Sequence, residues 1–546
     1  MDTKKLFKHI PWVILGIIGA FCLAVVALRR GEHVSALWIV VASVSVYLVA
    51  YRYYSLYIAQ KVMKLDPTRA TPAVINNDGL NYVPTNRYVL FGHHFAAIAG
   101  AGPLVGPVLA AQMGYLPGTL WLLAGVVLAG AVQDFMVLFI SSRRNGASLG
   151  EMIKEEMGPV PGTIALFGCF LIMIIILAVL ALIVVKALAE SPWGVFTVCS
   201  TVPIALFMGI YMRFIRPGRV GEVSVIGIVL LVASIYFGGV IAHDPYWGPA
   251  LTFKDTTITF ALIGYAFVSA LLPVWLILAP RDYLATFLKI GVIVGLALGI
   301  VVLNPELKMP AMTQYIDGTG PLWKGALFPF LFITIACGAV SGFHALISSG
   351  TTPKLLANET DSLVAGIIGT AGCVGLWGYL LYQGVVDPLG GVKSLWPLFG
   401  ISNQMLAAVA LVLGTVVLIK MKRTQYIWVT VVPAVWLLIC TTWALGLKLF
   451  STNPQMEGFF YMASQYKEKI ANGTDLTAQQ IANMNHIVVN NYTNAGLSIL
   501  FLIVVYSIIF YGFKTWLKVR NSDKRTDKET PYVPIPEGGV KISSHH

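Results

Sequence analysis

Apolar residues in this chain gather into runs of about twenty, each closed by a short polar stretch, and the rhythm repeats along almost the whole length. A helix needs roughly twenty apolar residues to cross a hydrocarbon core of about 30 Å. The runs therefore predict spans at Pro11–Leu28, Ala36–Tyr57, Tyr88–Met113, Thr119–Ile140, Thr163–Leu188, Val195–Ile215, Val223–Ile241, Thr257–Leu278, Tyr283–Leu303 and Leu327–Ser348. After a polar interruption they resume at Leu363–Tyr382, Leu398–Ile419, Tyr426–Leu447 and Ala495–Phe513. Helix is the expected form, because an open sheet leaves its edge groups unpaired in lipid. The expectation is an all-α multipass transmembrane bundle, with about ten helices in residues 1–361 and about four in 362–513. Residues 450–494 read as an external loop with an amphipathic stretch at Leu476–Val489, and 514–546 as a polar tail. From Asn521 onward the tail has too little apolar content to fold by itself, so disorder is expected there.

Composition agrees: 57% of residues are hydrophobic and only 11% charged, with mean hydropathy +0.77. Soluble domains carry roughly a quarter charged residues. The formal charge of +12 could suggest nucleic acid, but no RNA-binding motif or basic amphipathic helix accompanies it. The cations lie between runs, at Arg52–Arg87, Arg143–Lys154, Arg213–Arg219, Arg281–Lys289, Lys420–Arg423 and Lys514–Lys528. All face one side if the N-terminus is cytoplasmic; Arg29 and Arg30 are the exception to this bias. Both termini are thus expected in the cytoplasm. The first run lacks a small-x-small cleavage site and reads as a retained helix.

The six cysteines form no CxxC pair, so neither a disulfide nor a zinc site is expected, and no cofactor is. There is no GxxxxGK[ST] loop and no stretch for a nucleotide-holding domain, which argues against ATP-driven pumping. A haem protein would need a pair of deep histidines, and a sensor would need a soluble signalling domain; both rank below a gradient-driven transporter.

Candidate chemistry concentrates in a few places. Within 88–113, Gly100, Gly102 and Gly106 interleave with Pro103 and Pro107, which lack amide donors. Such a helix is expected to break around Gly100–Pro107 and to offer freed backbone groups to a solute; close packing through the glycines is the alternative. His93 and His94 precede the break and diverge by about 100° on a regular helix, so one suits proton transfer and the other a structural bond. Both could instead be satisfied near an interface. Asp134 lies inside an apolar run, where a carboxylate costs on the order of 3 kcal/mol; its expected partner is a histidine, a bound cation, or Arg143 and Arg144. His344, in Ser341-Gly-Phe-His-Ala-Leu-Ile-Ser-Ser-Gly, lies towards the end of another run. Lys186, Glu190, Asp282 and Lys289 sit near predicted ends and read as snorkelling or capping.

Gly92-His-His-Phe, Ala99-Gly-Ala-Gly-Pro-Leu-Val-Gly-Pro107, Gln133-Asp134, Ser341-Gly-Phe-His344 and Ser349-Gly-Thr-Thr-Pro-Lys354 together resemble the carbon starvation protein A family over almost the whole chain. The resemblance implies a bacterial inner-membrane protein importing pyruvate with protons or, in sister proteins, short peptides, under carbon limitation. It also implies kinship with the amino acid–polyamine–organocation superfamily and its LeuT-like core, whose first repeat opens with a broken helix. On this reading Gly100, Gly102, Gly106, His93 and His344 contact a small carboxylate, while Asp134, His94 and His93 handle the proton. Sodium coupling through backbone carbonyls stays open. One departure stands out: Asn358-Glu-Thr-Asp-Ser362 runs straight into Leu363 where family members carry several more helices. Loop-charge parity across the junction implies an even number of absent spans.

Overall fold

The computed structural model describes residues 9–27, 35–78, 82, 94, 98, 100–216, 219–272, 276–349, 391–473, 476–522 and 524–535. Among them there is no strand, only two isolated bridges. In chain order the helices are α1 Ile10–Ala27, α2 Ala36–Met63, α3 Gly102–Ala110, α4 Tyr115–Ser142, α5 Leu149–Met157, α6 Pro159–Leu188, α7 Pro192–Ile210, α8 Val220–Ala242 and α9 Asp255–Leu271. They continue with α10 Leu278–Leu303, α11 Leu327–Thr334, α12 Ala336–Ala339, α13 Gly342–Ser348, α14 Gly391–Lys420, α15 Trp428–Phe450, α16 Phe459–Asn472 and α17 Ala478–Val519.

Among the described residues nine helices are long and apolar enough to cross a membrane: most of α2, α4, α6, α7, α8, α10, α14, α15 and α17. The expected total was about fourteen. The remainder is accounted for by α1 and α9, which are apolar but shorter, by the partly described segment before α3, by one broken helix, and by Leu363–Tyr382, which lies outside the described residues. The junction after Asp361 and His93 also lie outside them.

α14 is the centre of the bundle, buried almost without interruption from Leu395 to Met421. α4, α6, α13, α15 and α17 pack around it. A smaller apolar cluster, Ile204, Met208, Val223, Leu231 and Leu284, joins α7, α8 and α10 at one flank.

Four expectations change. The run Leu327–Ser348 is not one helix: it is interrupted at Ile335 and unwound at Val340 and Ser341, which are extended. Its hydropathy is continuous, so the run alone gives no hint of the break. In the Gly/Pro segment, by contrast, the non-helical part is confined to Gly100 and Ala101; helix runs from Gly102 through Pro107. Pro103 sits in the first turn, where no amide donor is needed. The stretch expected to be an external loop is largely helical: α16 pairs with the first turns of α17, which a Thr477–Gln480 capping box starts. At 1.5 Å per residue the 42-residue α17 is about 63 Å long, twice the hydrocarbon core.

The fourth change is the tail, whose described residues 524–535 pack against the bundle. Glu529 bridges Arg69, Arg143 and Arg525. The Thr530 N–H donates to Arg143 O at 3.0 Å, and Ala70 and Ile535 exchange backbone bonds with Val533 and Thr68. Beneath this strap Glu156 is fully buried, accepting from Arg144 Nε at 3.0 Å, from Lys420 Nζ at 2.8 Å and from the Lys528 N–H at 3.0 Å. Low apolar content predicts disorder only when no partner is supplied; here two arginines from distant connections, Arg69 and Arg143, supply it. Nearby, the Thr68 hydroxyl and N–H bond to Asp66 and hold its carboxyl below the ordinary carboxylate range. Four of the six basic connections assigned to one side, those holding Arg69, Arg143, Lys420 and Arg525, therefore meet here, while Arg216 pairs with Glu222 and Arg281 with Tyr265. Lys186 is paired with Asp255, in keeping with a role at a helix end.

Candidate functional site

The unwound stretch between α12 and α13 is held from two sides by buried amides. On α14, Asn403 Oδ1 accepts the Phe343 N–H at 3.0 Å, and its Nδ2 lies 3.1 Å from Ser341 Oγ. Gln404 Nε2 donates to Phe332 O at 2.8 Å, and the Trp396 indole donates to Thr334 O at 3.3 Å. On α4, Gln133 Nε2 donates to Ser341 O at 2.7 Å. An irregular backbone inside a bilayer persists only if its polar groups are paired within the protein or by a solute. These side chains do that pairing.

Asp134 follows Gln133 and reaches the same place. Its Oδ2 is 3.0 Å from His344 Nδ1 on α13, and its Oδ1 accepts from Gln133 Nε2 at 3.1 Å. With the carboxylate ionised and the imidazole neutral, Nδ1 carries the proton and Nε2 is left as an acceptor. Nε2 is buried and has no hydrogen-bond partner among the described residues, and the same holds for Gln133 Oε1, Ser348 Oγ and Gln404 Oε1. Buried polar atoms are normally paired, so a group of such atoms around one broken helix marks a place suited to a polar solute.

The arginines offered as alternative partners for Asp134 are engaged elsewhere, Arg143 with Glu529 and Arg144 with Glu156. A π-turn at Val126–Gly130 precedes Asp134 on α4. Gly130, its last residue, lies so close to Ala339 O that a side chain has no room.

The glycines of α3 meet the broken element from another side. A Cβ on Gly102 would lie 2.5 Å from Cys337 Sγ, and one on Gly106 2.7 Å from Thr334 O. Both glycines therefore permit close packing of α3 on the break. Gly100 lies before the helix start, and among the described residues nothing lies within 4 Å of its Cβ position. The structure thus brings Asp134 and His344 together and sets Gly102 and Gly106 beside the same element. His94 is half-buried and has interactions of its own.

Sequence reasoning quoted Gln133 and Ser341 only as parts of family motifs, without a role, and did not single out Asn403 or Gln404. A signal existed: Ser402-Asn403-Gln404 is a polar triplet inside the apolar run Leu398–Ile419, and all three residues are fully buried. The Arg144–Glu156–Lys420 cluster was missed because Lys420 lies 264 positions from Glu156, in a different connection.

Comparison with known proteins bears on this site. The model of the family described as carbon starvation protein CstA matches residues 35–369 and 361–444. A pyruvate/proton symporter, BtsT, of Escherichia coli K12 is 76% identical over 716 positions, covering all of both chains. Peptide transporters named CstA are 49% identical in Escherichia coli K12, over 99% of both chains, and 42% in Campylobacter jejuni, over 98% of this chain and 99% of that one. No solved structure matches. The 716 positions exceed the chain's 546 residues by 170, so the symporter has a stretch with no counterpart here. The two family matches meet at 361–369, next to the Asp361–Ser362 junction. Identities at 76% of 716 positions nearly equal the residues present, so the rest of the two chains agrees almost throughout. The chain belongs to the carbon starvation protein CstA family.

Proposed function

We propose that this inner-membrane multipass protein imports pyruvate, or a closely similar small monocarboxylate, by proton symport. The observation that carries the reading is the Asp134–His344 pair at an unwound helix, with His344 Nε2 buried and without a partner among the described residues. The identity to the pyruvate/proton symporter supports the same reading. In this mechanism a proton enters at Nε2 and makes an imidazolium whose counter-charge is Asp134. A proton and the solute's single negative charge then enter together, so the site gains no net charge. The carboxylate of the solute meets the start of α3, where the helix ladder leaves the Gly102 N–H over and no side chain caps it.

Two interrupted elements, one before α3 and one at α11–α13, fit a LeuT-like core in which such elements alternate access by rocking. Both termini are assigned to the cytoplasm, because the strap network gathers basic connections that the positive-inside bias puts there. The test is uptake of labelled pyruvate into membrane vesicles with and without a protonophore. Collapse of uptake by the protonophore is expected; uptake indifferent to it removes proton coupling. A second reading, import of short peptides, is favoured by the relatives named peptide transporters. Competition of pyruvate uptake by di- and tripeptides separates the two.

A further inference from the structure

One side chain joins the unwound backbone to the proposed proton site. Gln133 is fully buried on α4, and its Nε2 lies 2.7 Å from Ser341 O and 3.1 Å from Asp134 Oδ1. Both neighbours are acceptors, and a flipped amide would set three oxygens against one another, so the atom between them is the nitrogen. Both its protons are thereby committed, one to each neighbour. Ser341 O also accepts the His344 N–H at 3.2 Å, and His344 Nδ1 returns to Asp134 Oδ2 at 3.0 Å. The result is a closed ring: Gln133 amide, Ser341 carbonyl, His344 backbone, His344 imidazole, Asp134 carboxylate, Gln133 amide.

We propose that Gln133 is a positioning residue that ties protonation of the Asp134–His344 pair to the conformation of the broken helix. The proposal rests on the symport reading above. Ser341 belongs to the extended stretch, with φ −103° and ψ 121°, so its carbonyl shifts whenever α12 and α13 move relative to one another. A shift that removes Ser341 O leaves one Gln133 proton without an acceptor in a buried place. Keeping that proton bonded then requires the amide to turn towards Asp134 or the solute. In the other direction, protonation of His344 strengthens its hold on Asp134 and alters what Asp134 offers Gln133. Neither end changes without the other, and that linkage is what a symporter needs between proton and helix. An apolar side chain such as leucine fills most of the space and lacks the link. Gln133 Oε1, without a partner among the described residues, fits this role: a purely structural amide would have both ends satisfied.

The test uses the full chain in proteoliposomes and [14C]pyruvate as the probe. Two quantities are read: accumulation driven by an imposed pH gradient, and pyruvate–pyruvate exchange without one. For Gln133→Leu, accumulation is expected to fall at least tenfold while exchange falls no more than threefold. Gln133→Glu loses the donors at neutral pH and regains one when protonated, so its accumulation is expected to recover towards acid pH and shift the pH profile. Equal losses of accumulation and exchange, with the parent's pH profile kept, would reduce Gln133 to a packing residue and overturn the proposal. So would parent-like values for both variants. If Gln133→Leu does not give monodisperse protein, the pH profile of Gln133→Glu decides alone. Failure of the parent to accumulate pyruvate under a gradient refutes the symport reading itself, which is a different outcome from failure of the variants.

Discussion

Changing Glu156 to glutamine should loosen the end of the bundle that the strap covers. Its side chain is 0% exposed and faces Arg144 and Lys420, whose side chains are 2% and 9% exposed. The carboxylate accepts from both and from the Lys528 N–H. Glutamine keeps the volume and one acceptor, but its NH2 must then face either the guanidinium or the ammonium. Leaving a buried charge uncompensated costs about 3–5 kcal/mol, and the retained acceptor puts Glu156→Gln near the lower figure. At about 2 °C per kcal/mol, the low end of the slope for long chains, the melting temperature should fall by roughly 6 °C. The assay is fluorescence-detected size exclusion after heating in detergent. Glu468→Gln, at an exposed position on α16, is the control and should cost less than about 0.5 kcal/mol. Adding Lys420→Met to Glu156→Gln removes the stranded ammonium and should recover at least half of the loss. A single variant melting with the parent, or a double variant melting below the single, would refute the argument.

Glu529→Gln unpairs Arg69, Arg143 and Arg525 together, so residues 521–535 should become several-fold more susceptible to limited proteolysis; unchanged cleavage would mean the backbone bonds alone hold the strap. Asn403→Leu strands the Phe343 N–H and Ser341 Oγ, at a cost of about 1–3 kcal/mol. Pyruvate uptake should drop while the apolar face of α14 stays packed, and parent-like uptake would show that Asn403 does not hold the break.

The helices were legible because each must cover a fixed thickness with apolar residues, a constraint written in consecutive positions. Asp134 and His344 were each conspicuous as polar residues in apolar runs, yet their pairing spans 210 positions and depends on the break beside Ser341. That break was hidden because Leu327–Ser348 is predominantly apolar, and the amides that hold it come from other helices. Pro103 and Pro107 suggested a long unwound stretch, although a proline in the first turn is compatible with helix and the second is carried inside α3. The strap was invisible for a different reason: Glu529 finds Arg69 and Arg143 hundreds of residues away, and composition records no such complementarity. The polar half of α17 was read as loop because it needs no lipid; α16 supplies its packing instead.

Proton movement accompanying the solute is the central claim, and an internal pH dye in proteoliposomes reads it without relying on accumulation. Adding pyruvate outside should acidify the interior of vesicles holding the parent protein, while Asp134→Asn and His344→Gln each reduce that signal at least tenfold. Pyruvate entry without acidification, or acidification by Asp134→Asn equal to the parent's at every pH, would contradict the account.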